Sequence, residues 1–212
     1  MRWLGVVVAA TVAMGLGGCA EVVSDTPWFG PQDARGAPVL KPGLWVVSVE
    51  GCRARADRSL RRWKGCGIVL VRSHDHVVLE PDKDARLVWR QRETLLAVRD
   101  PLILQSFDRE KASGAYAYRT VTPTALDAAG QVVALRFSFL FCEDFDAPQG
   151  ADERRPLKPG LSWKSEGVTC VADSEAALMA AAAVGVREDK EHPREMRWVR
   201  EPRPDDFAKA RR

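Results

Sequence analysis

Five cysteines are the side chains of this 212-residue chain best suited to covalent chemistry. A thiol can attack an electrophile, ligate a metal, carry an acyl or thioether group, or pair with a second thiol. Cys19 closes an apolar N-terminal run, whereas Cys52, Cys66, Cys142 and Cys170 are spread along the rest of the chain. No two of them stand at the C-x2-C spacing of a zinc ligand set. A second kind of chemistry lies between Cys52 and Cys66. Arg53, Arg55, Arg58, Arg61, Arg62 and Lys64 are opposed there only by Asp57, a net charge of +5. Guanidinium forks suit phosphates and carboxylates, so Arg55, Arg58, Arg61 and Arg62 are candidate anion-binding residues. If the segment were helical, Arg55, Arg58 and Arg62 would share one face. A third pattern is Ser73-His74-Asp75-His76. Two imidazoles at i, i+2 on a strand share a face and could ligate a metal with Glu80 or Asp82. The segment falls where a hairpin turn is expected, which favours a polar turn, and no metal site is assigned. No G-x-S-x-G, no Cys-His catalytic arrangement and no phosphate-cradling glycine loop is present. The expectation is a protein that is not an enzyme and has no cofactor.

The N-terminus carries Arg2, then the apolar run Leu4–Gly15, then Leu16-Gly17-Gly18-Cys19. This is the order of n-region, h-region and small-residue cleavage site in a secretory signal. The apolar run is too short to span a bilayer, which takes roughly 20 residues. The segment resembles the lipobox of bacterial lipoproteins. That resemblance implies a signal peptide over residues 1–18, cleavage before Cys19, and a diacylglycerol thioether plus an N-acyl chain on Cys19. Two or more chains anchor stably where one does so only marginally. It also implies that Ala20, in place of an Asp, directs the protein to the outer membrane, facing the periplasm. The membrane, through this lipid, is then one partner.

In an oxidising compartment four further cysteines favour two disulfides. Of the three pairings, the sequence-local one is expected, Cys52 with Cys66 and Cys142 with Cys170. It joins elements close in the chain and so adjacent in space. Each bridge is worth about 3 kcal/mol in a chain-entropy account.

The 32 Lys and Arg residues face 29 Asp and Glu. Loss of residues 1–18 removes Arg2 alone, leaving a net charge of +2. Such a balance leaves no electrostatic footprint for nucleic acid. An anionic envelope surface meeting the basic loop is the second expected partner; a protein partner is not identified.

The elements that position these residues are short. Pro27, Pro31, Pro38 and Pro42 interrupt the start of the mature chain, so residues 19–42 read as a lipidated cysteine and flexible tether. A coil of that length spans roughly 25 Å. A single β-rich domain is expected over 43–201 and a polar, frayed tail over 202–212. Candidate strands are 44–50, 67–72, 76–80, 86–90, 94–99, 102–107 and 115–121. Their spacing indicates an antiparallel meander, in a sandwich or barrel. In Gln131–Cys142 the residues Val133, Leu135, Phe137, Phe139 and Phe141 alternate onto one apolar face that must be covered. Asp127–Gly130 before it reads as a hairpin turn. One late helix is expected over 173–184, capped by Asp173 or Ser174 and stopped at Gly185. A short strand over 197–201 follows, with Trp198 toward the core. The fold class is mostly β, α+β.

Gly43-Leu44-Trp45 resembles the G-x-W signature that opens the lipocalin barrel, and the order of strands, helix and short strand is similar. That resemblance implies a carrier of a small apolar ligand. A tryptophan opening a strand after a Pro-Gly turn also serves as plain core. The reading adopted is a non-catalytic binding or scaffolding role in the cell envelope, with the carrier as the alternative and an envelope hydrolase third.

Overall fold

The structure is a computed structural model; it describes residues 20–48, 51–72, 75–81, 87–108, 115–144, 156–164, 169–188 and 194–206. Among the described residues, eleven strands and one α-helix follow the chain as β1 (Glu21–Ser24), β2 (Gly43–Ser48), β3 (Gly67–Val71), β4 (Asp75–Pro81), β5 (Leu87–Ala97), β6 (Leu102–Asp108), β7 (Tyr116–Leu126), β8 (Val132–Phe139), β9 (Leu161–Trp163), β10 (Thr169–Ala172), α1 (Glu175–Glu188) and β11 (Arg194–Arg200). The fold is mostly β, with the late helix followed by a C-terminal strand, as the spacing of turn signals indicates.

Strands β2 to β8 form an antiparallel meander, and β11 pairs antiparallel with both β8 and β2. Because β6 is paired along both edges, to β5 and to β7, strand pairing runs in a circuit through eight strands. The circuit has an appendage: β1 pairs antiparallel with β7 and parallel with β10, and β9 pairs with β10. The result is one large mixed sheet, not a plain closed barrel.

Both faces of β2, β3 and β6 to β8 are covered, which explains their continuous apolar runs. In β2 and β3, Trp45, Val69 and Val71 join Val121 and Leu135 in the inner cluster, with Phe137, Met196 and Trp198 packed against it. The intervening Leu44, Val46, Ile68 and Leu70 face outward and are covered by Leu60 and Trp63. On the outer side of β6 to β8, Ile103, Tyr118 and Leu140 pack with Val22, Phe29 and the α1 residues Leu178, Ala181 and Ala182. Gly43 opens β2 at φ 138°, and a Cβ there would lie 2.5 Å from the Trp198 indole nitrogen.

Several expectations are corrected. Residues 20–42 are not a tether. Ala20 and Val22 are buried, β1 is paired on two sides, and the Phe29 backbone is held by the Gln105 side chain through two hydrogen bonds of 3.0 Å. Four residues are too few to show periodicity, and the partners of β1 are remote in the chain, Val23 facing Ala117 and Val22 facing Cys170. The tail is not frayed at its start: residues 204–206 form a 3-10 turn and Asp206 binds Arg200. The candidate strands at 86–90 and 94–99 are one strand, β5, and β9 and β10 carry no sequence signal long enough to read. The expected alternation of Gln131–Cys142 fails: Phe137, Phe139 and Phe141 are half-buried, whereas Val132, Ser138, Leu140 and Cys142 are buried. The helix and β1 cover the face expected to be open, and β7 is irregular opposite β8 between Pro123 and Leu126. The helix runs on past Gly185, which sits where a Cβ would come within 3.3 Å of the Phe139 carbonyl. Ser174 does cap it, its Oγ accepting the Ala177 N–H at 3.1 Å.

Candidate functional site

The basic segment between β2 and β3 is a structured flap. Cys52 and Cys66 form a disulfide at its root, with Cα atoms 4.7 Å apart. Leu60 and Trp63 bury their side chains against Leu44, Val46, Ile68 and Leu70. The Trp63 indole donates to the Arg55 carbonyl at 3.0 Å, and the Arg200 guanidinium lies 5.4 Å from the Trp63 ring. The flap is not helical along its length. A turn closes at Arg58, whose N–H donates to the Arg55 carbonyl, and a 3-10 turn spans Leu60–Arg62. Arg55, Arg58 and Arg62 therefore do not share a helical face.

All of Arg53, Arg55, Arg58, Arg61, Arg62 and Lys64 are exposed. Their electrostatic situations differ. Arg55 forks onto the Asp57 carboxylate with two 3.0 Å hydrogen bonds, and Arg58 lies 3.7 Å from it. The Arg55 side chain holds the Asp57 carboxyl below its ordinary pKa. Among the described residues no carboxylate lies within ion-pairing distance of Arg61 or Arg62. These two stand between the buried Leu60 and Trp63, so their backbone is fixed while their guanidiniums remain in water. Sequence spacing brought forward four arginines; among the described residues two of them, Arg55 and Arg58, are partly neutralised by Asp57, and Arg61 and Arg62 meet no carboxylate.

The flap also spans the molecule. Its disulfide root joins the Ser48 end of β2 to the Gly67 end of β3, beside Arg194 at the start of β11. Its tip is held at the other end of β11, where the Arg203 side chain donates to the Ala56 carbonyl at 2.9 Å.

Cys142 and Cys170 form the second disulfide, both fully buried, with Cα atoms 5.8 Å apart. Both bridges pair as the sequence spacing predicts. Cys19, with the whole apolar run, lies outside the described residues. His74 and Ser73 also lie outside them; His76 is in β4. Among the described residues no group of three or more His, Cys, Asp and Glu is placed to hold a metal.

Sequence reasoning missed the polar contacts that fasten the flanking segments. Arg99 bridges Asp33 at 2.7 Å and Glu175 at 2.8 Å, joining the N-terminal segment to α1. The Gly30 N–H and then the Arg99 side chain hold the Asp33 carboxyl below its ordinary pKa. Tyr118 shares a hydrogen bond with Ser24, and burial pushes the Tyr118 phenol up. Asp33 and Glu175 are remote in sequence from Arg99, and Ser24 from Tyr118, so no local signal could have found these contacts.

Comparison with protein-family models, with curated proteins and with solved structures gave no match.

Proposed function

We propose that the protein is an exported lipoprotein, held by lipid on Cys19 in the outer membrane and facing the periplasm, where it binds or scaffolds without catalysis. The observation that carries the binding half of this reading is the pair Arg61 and Arg62. They are displayed on a backbone fixed by Leu60, Trp63 and the Cys52–Cys66 bridge. Such a rigid display lowers the ordering cost of contact with a polyanion. The bound chemistry is phosphate or carboxylate on an envelope surface, either lipid headgroups or wall polymer.

The alternative is carriage of a small apolar ligand. Among the described residues, the inner cluster around Trp45, Leu135, Phe137, Met196 and Trp198 packs large side chains together, which favours scaffolding over carriage.

Two experiments test the proposal. Metabolic labelling with a fatty acid should mark the wild-type chain and leave Cys19→Ser unmarked; label persisting in the variant overturns the anchor. Residues 20–212 should co-sediment with phosphatidylglycerol vesicles, or with purified wall sacculi, more than with phosphatidylcholine vesicles. That binding should weaken with salt, because exposed charges are screened beyond roughly 8 Å at physiological ionic strength. The two anionic arms separate lipid from polymer. Equal sedimentation with all three, or none lost in Arg61→Ser with Arg62→Ser, overturns the anion-binding half.

A further inference from the structure

The position of Ala20 has a consequence for how the domain meets its membrane. Ala20 is 4% exposed, and its carbonyl accepts the Cys142 N–H at 2.9 Å. Cys142 is fully buried and disulfide-bonded to Cys170. Consecutive Cα atoms are about 3.8 Å apart, so a lipid on Cys19 begins within one residue of a pinned backbone. No length of loose chain lies between the lipid and the fold.

Ala20 sits at one defined end of the strand circuit. The Val22 N–H donates to the Leu140 carbonyl, and Glu21 bridges Phe141, both just past the end of β8. The register of β8 with β11 puts Phe137 opposite Arg194, and that of β11 with β2 puts Glu195 opposite Ser48. The end of β8, the start of β11 and the end of β2 are therefore together. The Asp127–Gly130 hairpin and residues 204–206 lie at the opposite end.

The surface at the Ala20 end carries a stacked aromatic pair and a cation. Phe139 and Phe141 stack with centroids 5.9 Å apart, both half-buried. The exposed Arg194 lies with its guanidinium 4.3 Å from the Phe139 ring. Half-exposed Phe beside Arg is the chemistry of the headgroup layer, with rings at the glycerol level and a guanidinium on phosphate. The exposed Glu195, next in the chain to Arg194, is ion-paired with Arg136 at 3.2 Å.

We infer that the Ala20 end of the strand circuit, with Phe139, Phe141 and Arg194, is seated in the phospholipid headgroup layer. This rests on the reading of Cys19 as lipidated. It turns an anchored domain from a freely swinging one into an oriented one. The flap tip at Arg55 and Arg58 then lies at the far end of β11 from the seated surface, about 20 Å along the strand at ~3.3 Å per residue.

The test uses the full-length protein, processed in cells and reconstituted into phosphatidylglycerol vesicles. Single reporter cysteines are placed at Glu195→Cys, at the Ala20 end, and at Ala129→Cys, in the exposed hairpin turn at the other end. Each is labelled with a fluorophore and quenched by headgroup nitroxide lipid. Quenching at 195 should exceed that at 129 by about threefold or more, given the ~20 Å between the two ends. Arg194→Ser should reduce the difference without removing the lipid. Mass measurement of the same sample shows whether Cys19 carries acyl chains. Lipidated protein with equal quenching, or with the order reversed, overturns the seating alone. Unmodified Cys19 overturns the lipoprotein reading and the seating with it.

Discussion

The Ala20 carbonyl accepts a hydrogen bond from the backbone N–H of Cys142 at 2.9 Å, tying the start of the described chain to a buried disulfide residue. Proline content alone makes residues 20–42 read as a spacer. The bond, with the pairing of β1 on both edges, makes that stretch a structural part of the domain. A chain begun at Gly43 should therefore lose the cooperative thermal transition that a chain begun at Ala20 retains. Far-ultraviolet circular dichroism of the two forms decides this, and equal melting would restore the tether.

Arg200 and Asp206 form a bidentate pair of 2.7 Å bonds, with side chains 8% and 1% exposed. Removal of one partner from a buried pair leaves an uncompensated charge. Asp206→Ala should cost about 3 kcal/mol of stability, measured by urea unfolding.

The same carboxylate sets a pH dependence. Burial pushes the Asp206 carboxyl up, but the Arg200 side chain and the Arg203 backbone N–H outweigh it and hold the group below its ordinary value. Its folded pKa therefore lies under the unfolded value of about 3.9. The contribution of Asp206 is complete above that pH and is lost as pH falls through the lower folded value. Asp206→Asn should flatten this acid limb of the stability curve, read from melting temperature between pH 2 and 6.

In β8, Leu135 is 3% exposed and Phe137 is half-buried, although both join the inner cluster. Leu135→Ala should cost about 2–5 kcal/mol. Phe137→Ala should cost less than the full burial of a Phe would imply, because part of its ring already meets water. Chemical denaturation of both variants checks the order, and a larger loss at Phe137 would contradict it.

At Gly43 the backbone has φ 138°, and an added Cβ would press on the Trp198 indole at 2.5 Å and the Arg200 carbonyl at 2.8 Å. Gly43→Ala should destabilise by more than the ~0.5 kcal/mol usual for surface changes. Weakened protection of the β2 and β11 amides in hydrogen exchange would localise the effect.

What was legible in the chain was whatever depends on neighbours in sequence. The disulfides Cys52–Cys66 and Cys142–Cys170 follow from local pairing. The Asp127–Gly130 turn forms as read, with the Gly130 N–H donating to the Asp127 carbonyl and Gly130 at φ 77°. The cadence of hairpin strands, the Ser174 cap and the late helix follow from local backbone preference. Tertiary structure decided the rest. β1 is a strand only because β7 and β10 meet it, and four residues cannot declare that alone. The face of β8 was misread because period-2 alternation identifies a buried face only when the other face is wet, and here α1 and β1 cover it. Arg55 stands two residues from Asp57 and pairs with it, a contact the chain already brings near. What the fold decided is that Arg61 stands beside the buried Trp63 with its side chain in water, since burial of Leu60 and Trp63 depends on β2 and β3.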